Sequence, residues 1–120
     1  MPRNYKELIV WQNSYQLSQD IDRATDTFPE HEGFILATQM KKAAVSIPKY
    51  IARGYRKKTT LEYIKLLYVA YRSTYELEMQ IILSGDLGYI NKEQLSVLHG
   101  NISELEIMLR FMIKTLENKQ

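Results

Sequence analysis

Histidines and acidic residues are the first candidates for catalytic or metal chemistry in this sequence. His31 and His99 are its two histidines, and neither has a glutamate three residues before it, so the Glu-x-x-His pairs of di-iron bundles are missing. The chain has no cysteine, which excludes a zinc–thiolate site, a disulfide and a cysteine nucleophile. Phosphate loops, nucleophile elbows and His-Glu-x-x-His zinc motifs are also missing from the sequence. We therefore expect no metal, no cofactor and no enzymatic activity.

Glu78 is the acidic residue whose helical phase, shared with Leu67 and Tyr71, turns it inward. A buried carboxylate is costly unless it is paired. Because the sequence indicates neither a partner acid nor a substrate pocket, we interpret Glu78 as part of a structural ion pair or a tyrosine hydrogen bond. Ser46 and Ser73 lack a context that would activate a hydroxyl, and we interpret both as ordinary helix residues.

The second kind of chemistry that the residue types suggest is the binding of phosphate. The net charge is only +2, but the stretch from Lys41 to Arg72 has nine basic residues and one acid, Glu62, so it carries +8 and the rest carries −6. Helical phase groups the basic residues into stripes on the second and third helices, joined by a basic turn. The predicted nucleic-acid contacts are Lys42, Lys49, Arg53, Arg56, Lys57, Lys58, Lys65 and Arg72. Cations on one surface bind phosphates independently of sequence and with a steep salt dependence.

Three tyrosines, Tyr50, Tyr55 and Tyr63, lie among these charges and are candidates for stacking on unpaired bases. The competing interpretation is that the charges form a solvated helix face and that the tyrosines pack in the core. We expect a non-enzymatic protein that binds structured RNA or RNA–DNA hybrids through phosphates. The alternative is a protein–protein interaction scaffold whose basic face docks an acidic partner.

Four helices must position these residues, because apolar residues recur at three- and four-residue spacing in four stretches and no strand-like alternation is present. We predict helices over about 5–25, 30–54, 59–84 and 91–117. Short connections between helices of this length favour an all-α fold, an antiparallel up-down-up-down four-helix bundle, with residues 1–120 forming a single domain.

The helix ends carry recognisable signals. Thr59 and Glu62 have the spacing of a capping box at the start of the third helix, and Asn91 and Gln94 are predicted to cap the fourth. Pro48 falls inside the second helix, where we expect a kink or a break.

The same periodicity predicts which side chains face the core. On the first helix these are Val10, Leu17, Ile21 and Ala24, and on the second Leu36, Met40, Ala43, Ala44, Ile47 and Ile51. On the third they are Leu61, Ile64, Leu67, Tyr68, Tyr71, Tyr75 and Ile82. On the fourth they are Leu95, Leu98, Ile102, Leu105, Leu109, Met112 and Leu116, the most regular series in the chain.

Apolar residues also lie roughly opposite the core line of the fourth helix, at Val97, Ile107, Met108 and Phe111. A face open to water does not usually carry four such residues, so we predict that it is buried against another copy of the chain. The sequence contains no stretch of about 20 apolar residues, and its lack of cysteine agrees with a reducing cytoplasm. We therefore expect a cytoplasmic homo-oligomer.

A family resemblance is carried by a run centred on the second helix: Phe28-Pro29, Leu36, Gln39, Lys41-Lys42-Ala43-Ala44-Val45-Ser46-Ile47-Pro48, Ile51-Ala52 and Gly54-Tyr55. It is opened by Leu8, Val10 and Trp11 and continued by Tyr63, Leu67-Tyr68-Val69-Ala70, Ser73, Glu76-Leu77-Glu78 and Asp86-Leu87-Gly88-Tyr89. With these residues the chain resembles the four-helix-bundle proteins encoded in intervening sequences of bacterial 23S ribosomal RNA genes. That family is related to the accessory proteins of diversity-generating retroelements. The resemblance implies a homopentameric ring of bundles whose basic surface suits nucleic acid.

The chain departs from this family pattern at a few positions. Tyr50 and Arg53 stand where the family usually has an asparagine and a glutamate, and Tyr71-Arg72 stands where arginine-glycine is common. These changes make the stretch more basic, and they put any role of the usual polar pair in doubt in this chain.

Overall fold

A computed structural model describes residues 3–120; Met1 and Pro2, which the predicted 1–120 domain includes, lie outside the described residues. It contains a short 3-10 turn over Tyr5–Glu7 and four α-helices, and no strand occurs in the described part of the chain. The helices are α1 (Ile9–Thr25), α2 (Phe34–Tyr55), α3 (Thr60–Asp86) and α4 (Lys92–Glu117). The predicted all-α fold is confirmed.

The helices form a closed four-cornered bundle. Each one packs against the next along the chain and α4 returns to α1, whereas helices at opposite corners make no close approach within residues 3–120. The bundle measures 46 × 20 × 20 Å. Its long axis suits α3, whose 27 residues span about 40 Å at 1.5 Å per residue. Since the connections are short, consecutive helices run antiparallel, as predicted for an up-down-up-down bundle.

The first helix begins later than its hydrophobic pattern predicts. Residues Tyr5–Glu7 form a separate turn, and Leu8 is extended, with φ −74° and ψ 127°. The Asn4 side chain accepts a hydrogen bond from the Lys6 backbone N–H at 2.8 Å, and the Gln12 side chain donates one to the Lys6 carbonyl at 2.8 Å. These polar contacts satisfy the backbone groups that the interruption frees.

The second helix also differs from its prediction, which placed its start near Glu30. The chain turns tightly after Pro29, and a Cβ at Gly33 would lie 2.8 Å from the Pro29 carbonyl oxygen, so glycine is required before α2 starts at Phe34. The helix then continues through Pro48, and the predicted break does not occur. The proline ring is buried, which offsets part of the cost of its missing backbone hydrogen bond.

The two predicted caps behave differently. At α4, the Asn91 side chain accepts from the Gln94 N–H at 2.8 Å and the Gln94 side chain accepts from the Asn91 N–H at 2.9 Å, which completes a capping box. At α3, Thr59 accepts from the Glu62 N–H at 3.2 Å, but the Glu62 carboxylate accepts from the Thr59 hydroxyl and not from its N–H. The reciprocal box predicted for α3 is therefore only half formed.

The predicted core is confirmed on three helices. The buried residues include Val10, Leu17, Ile21 and Ala24 of α1, Met40, Ala43, Ala44, Ile47 and Ile51 of α2, and Leu98, Ile102, Leu105 and Leu109 of α4. Leu36, Leu95, Met112 and Leu116 pack half-buried at its edge. No helix among residues 3–120 has the length and apolarity that crossing a membrane requires.

The prediction for the third helix is confirmed only in part: Ile64 and Leu67 are buried, and Tyr68 and Tyr71 are half-buried. Leu61, Tyr75 and Ile82, predicted to face inward, are exposed by 54%, 48% and 42%. The buried residues of α3 are Ile64, Leu67, Ala70, Thr74, Leu77, Gln80, Ile81 and Ser84. The hydroxyl of Thr74 donates to the Tyr71 carbonyl at 2.5 Å and that of Ser84 to the Gln80 carbonyl at 2.8 Å. Because the helix satisfies these hydroxyls itself, it can bury polar side chains that a hydrophobic pattern overlooks.

Candidate nucleic-acid interface

The predicted phosphate-binding residues form an exposed set on α2, α3 and the turn between them, which we call the basic surface. Its members are Lys42, Lys49, Arg53 and Arg56 of α2 and its C-terminal cap, Lys57 and Lys58 of the turn, and Lys65 and Arg72 of α3. All eight side chains belong to exposed residues. None of them forms an ion pair with an acid within residues 3–120, where the pairs are Arg23–Asp20, Lys41–Asp22 and His99–Glu78. Their charge is therefore available to an anionic ligand.

Small residues hold α2 and α3 close together and so bring the two basic stripes side by side. The hydroxyls of Ser46 and Ser73 are hydrogen-bonded across the helix pair at 2.9 Å. Near the turn, a Cβ at Gly54 would lie 2.9 Å from Tyr63 Cδ1 and 3.3 Å from Leu66 Cβ. The two serines, interpreted from sequence as ordinary helix residues, thus fasten the helices that carry the basic surface.

An acidic residue marks one edge of the basic surface. The groove between α2 and α3 has a volume of about 520 Å³ and is lined by Lys42, Ser46, Ser73 and Glu76, among others. Glu76 is exposed and follows Arg72 by one turn of α3. The eight cations therefore extend from this groove toward the α2–α3 turn, where they share the surface with the exposed Glu62.

Tyr50 orients two of the cations. Lys49 Nζ lies 5.2 Å and Arg53 Cζ lies 5.4 Å from the centroid of its ring, within the range of cation–π attraction. The ring is half-buried and already in contact with these charges. Tyr50 therefore positions Lys49 and Arg53, and its ring is a poor stacking platform for a base.

Tyr63, another predicted stacking residue, is packed into the protein. Its ring meets Tyr55 edge to face, with centroids 6.1 Å apart. Burial, with a smaller contribution from Tyr55, raises the pKa of the Tyr63 hydroxyl to about 12, and the oxygen has no hydrogen-bond partner among the described residues. A ring held in this way cannot open to a base, so Tyr63 contributes to packing.

Three aromatic rings form a stack on the other side of α2 that was not singled out from the sequence. Tyr15 is exposed, and Tyr5 and Trp11 are half-buried. Tyr5 meets Trp11 edge to face with centroids 5.1 Å apart, and Trp11 stacks on Tyr15 at 5.0 Å with an interplanar angle of 9°. Arg56 of the basic surface lies over Tyr5, with Cζ 5.1 Å from the ring centroid. We call Tyr5, Trp11 and Tyr15 the aromatic array. The four-residue spacing of Trp11 and Tyr15 was the signal available in the sequence.

Glu78 lies between α3 and α4 in a cluster of titratable groups. Its Oε2 is 2.9 Å from His99 Nε2, which confirms the predicted pairing of this carboxylate. Burial, together with the hydrogen bond and the charge of Glu78, raises the pKa of the neighbouring Glu106 carboxyl to about 7, although Arg110 opposes the shift. Glu106 Oε2 is buried and has no hydrogen-bond partner within residues 3–120. Nowhere in this described range do three or more histidine or acidic side chains form a group that could hold a metal ion.

Three of the four apolar residues predicted on the outer side of α4 are exposed there, and the fourth is not. Val97, Ile107 and Phe111 are exposed by 55%, 59% and 75%. Met108, predicted to share this face, is half-buried against the core, and its sulfur accepts a 3.6 Å hydrogen bond from the Asn13 side chain of α1. The helical phase of Met108 turns it toward α1 and away from the surface that the other three residues form.

Comparison with known proteins agrees with the family resemblance of the residues around Lys41–Pro48. The fold is similar to the crystal structure of a protein of unknown function from the S23 ribosomal protein family of Bacteroides thetaiotaomicron, with a TM-score of 0.83 and 20% sequence identity over 88% of this chain and 99% of that chain. No curated protein matches the sequence. The family model described as 23S rRNA-intervening sequence protein matches residues 6–110. The chain therefore belongs to the family of 23S rRNA-intervening sequence proteins.

Proposed function

We propose that this protein binds the phosphate backbone of RNA or of an RNA–DNA hybrid through the basic surface, as a homo-oligomer and without catalysing a reaction. The observation that carries the proposal is a set of eight exposed cations on two adjacent helices and their turn, none of which is neutralised by an acid of the described chain. A polyanion neutralises such a set, and the release of its condensed counterions favours binding.

The geometry favours recognition of phosphates over recognition of base edges. The cations are spread along the outer sides of two packed helices of 22 and 27 residues, and no single helix projects from the bundle to enter a groove. Contacts of this kind position a nucleic acid but do not distinguish its sequence. Binding should therefore be similar for unrelated sequences of the same shape.

A salt titration with a blunt RNA hairpin tests the proposal, with fluorescence anisotropy as the measurement. If all eight cations contact phosphates, the plot of log K against log salt concentration has a slope of about −6 to −7, and fewer contacts give a shallower line. The double variant Lys49→Glu, Arg53→Glu should weaken binding to every sequence and make the slope less steep by about 2. The control is Lys92→Glu, Lys114→Glu, which makes the same charge change at exposed positions of α4. A flat salt response, or no binding at low salt, contradicts the proposal.

A pull-down from a lysate with this protein as bait distinguishes a nucleic-acid ligand from an acidic protein partner. Material retained from a lysate through the basic surface should be lost after nuclease digestion and after the Lys49→Glu, Arg53→Glu change. Retention of an acidic protein that survives nuclease but depends on these two residues would assign the surface to protein docking instead.

The exposed apolar side of α4 supports the self-association part of the proposal. Val97, Ile107 and Phe111 are each more than half exposed on one side of a helix whose opposite side fills the core. Covering them would remove apolar area from water. Light scattering should give a multiple of the 14.1 kDa chain mass, and the family resemblance predicts a multiple of five. Phe111→Asp should reduce the mass, whereas Leu61→Asp, at a 54% exposed position of α3, should leave it unchanged. A monomeric wild-type protein contradicts this part.

A further inference from the structure

We propose that the aromatic array on α1 binds unpaired bases of an RNA whose phosphates lie on the basic surface. This inference rests on the proposed function and names its ligand more closely, as RNA that presents single-stranded nucleotides next to a helix. It concerns Tyr5, Trp11 and Tyr15, which lie outside the stretch that carries the excess of basic residues.

The array ends at Tyr15, and we infer that another ring can add there. Trp11 covers one face of Tyr15 in a nearly parallel stack, with an interplanar angle of 9°. No second ring and no cation lies on Tyr15 within residues 3–120, and the residue is 47% exposed. A flat apolar face next to an ordered neighbour is the kind of platform on which single-strand binders stack bases, because every base has a π-face.

Two contacts place the array beside the basic surface. Near one end of the α1–α2 pair, Asp22 Oδ1 lies 3.7 Å from Lys41 Nζ. Near the other end, Arg56 lies over Tyr5. The antiparallel register between these contacts brings Tyr15 level with the part of α2 just before Lys49. A strand whose phosphates follow Lys49 and Arg56 therefore passes the open face of Tyr15.

The positive charge beside the aromatic array favours an unpaired base over a second copy of the chain as the ligand of Tyr15. Arg56 lies over Tyr5 of the array, and neither Arg56 nor Lys49 has an acidic partner among the described residues. A symmetric contact between two copies here would bring two basic surfaces together, at an electrostatic cost. A nucleotide instead supplies a stacking ring and a negative charge together, so it suits both parts of the site.

The test compares two RNAs that differ only in a single-stranded extension. One is a blunt hairpin and the other is the same hairpin with a 3′ extension of unpaired nucleotides, both measured by anisotropy at one salt concentration. Tyr15→Ala should weaken binding of the extended hairpin by about five-fold or more, as expected for loss of one stacked base. It should leave the blunt hairpin unaffected.

A matched control exists on the other side of the bundle. Tyr75→Ala removes the same side chain from a position of α3 that is 48% exposed, against 47% for Tyr15, and it should change the binding of neither RNA. Tyr15→Phe keeps the ring and should bind the extended hairpin as the wild type does. Trp11 is the single tryptophan of the chain, so its emission should change when the extended hairpin binds and not when the blunt hairpin binds.

The outcomes separate this inference from the proposed function. If both RNAs bind equally and Tyr15→Ala changes nothing, the aromatic array is not a base-binding site, while phosphate binding stands. If neither RNA binds, the proposed function fails, and this inference with it. If Trp11 becomes shielded from acrylamide as the concentration of protein alone is raised, a second copy covers the array and the inference is overturned.

Discussion

Replacing Glu106 with glutamine should stabilise the protein at alkaline pH and leave its stability nearly unchanged at acid pH. The carboxyl lies between α3 and α4, where burial and Glu78 raise its pKa from 4.5 to about 7. A carboxyl whose pKa is higher in the folded state lowers stability once it ionises, so its cost is absent below pH 4.5, grows as the pH rises, and is fully present above pH 7. Glutamine imitates the protonated acid and removes this cost.

The size of the effect follows from the change in pKa and the partial burial of the side chain. A rise in pKa from 4.5 to about 7 would correspond to about 3 kcal/mol without screening by water. Glu106 is only partly buried, so we expect the glutamine variant to be more stable by about 1 kcal/mol at pH 8.

Urea denaturation followed by circular dichroism at pH 4 and pH 8 measures this difference. Comparing variant with wild type at each pH distinguishes the effect of Glu106 from that of the other ionisable side chains of the cluster, which are Glu78, His99, Tyr75 and Arg110. Glu104→Gln is the control, because it removes one negative charge from an exposed position of the same helix. A stability difference that is the same at both pH values, or a Glu106→Gln variant that is weaker at pH 8, would refute the reasoning.

Two further variants test the packing and the ends of the helices, both by urea denaturation. Gly54→Ala should lower the free energy of unfolding by about 1–3 kcal/mol, because its Cβ would lie 2.9 Å from Tyr63 Cδ1. The control is Gly100→Ala, in open space on α4, which should leave this free energy unchanged or raise it by up to about 1 kcal/mol. Equal effects of the two changes would contradict the close approach of α2 and α3. Asn91→Ala should cost about 1 kcal/mol by removing the cap of α4, and an unchanged midpoint would mean that the capping box does not stabilise the helix.

The contrast between α4 and α3 explains what sequence patterns can predict of this fold. On α4 the core residues from Leu98 to Leu109 recur at three- and four-residue spacing, and Ile102 and Leu105 in the middle of this line have polar neighbours on either side. The periodicity therefore identifies the buried side of the helix. On α3, leucines, isoleucines and tyrosines occur nearly all round the helix. Its buried side includes Thr74 and Ser84 beside the apolar residues, and both bury their hydroxyls by donating to backbone carbonyls. A hydrophobic scale counts these two residues as polar and therefore assigns them to the surface.

The sequence was sufficient to identify the cations of the candidate site, but not the aromatic array beside them or the raised pKa of Glu106. The cations of the basic surface could be identified because excess charge of one sign is visible in composition, and because a continuous helix fixes which residues share a side. The aromatic array depends on the interruption at Leu8, which lets the Tyr5 ring meet Trp11 and Arg56. The raised pKa of Glu106 depends on the packing of α4 against α3. The aromatic array and the raised pKa of Glu106 both arise from contacts between different secondary-structure elements, which the periodicity of a single helix does not predict.

Under the proposed function, the spacing of the cations along α2 predicts that affinity depends on the length of the ligand. Lys42, Lys49 and Arg56 recur every seven residues, so successive charges are about 10.5 Å apart along the helix axis and the first and last about 21 Å apart. An α-helix held against α3 does not shorten to bring these charges together. A free nucleotide or an inorganic phosphate can reach one of them at a time, whereas a chain of phosphates engages them together. Affinity should therefore rise with each added nucleotide until the oligonucleotide spans the row, and then level off.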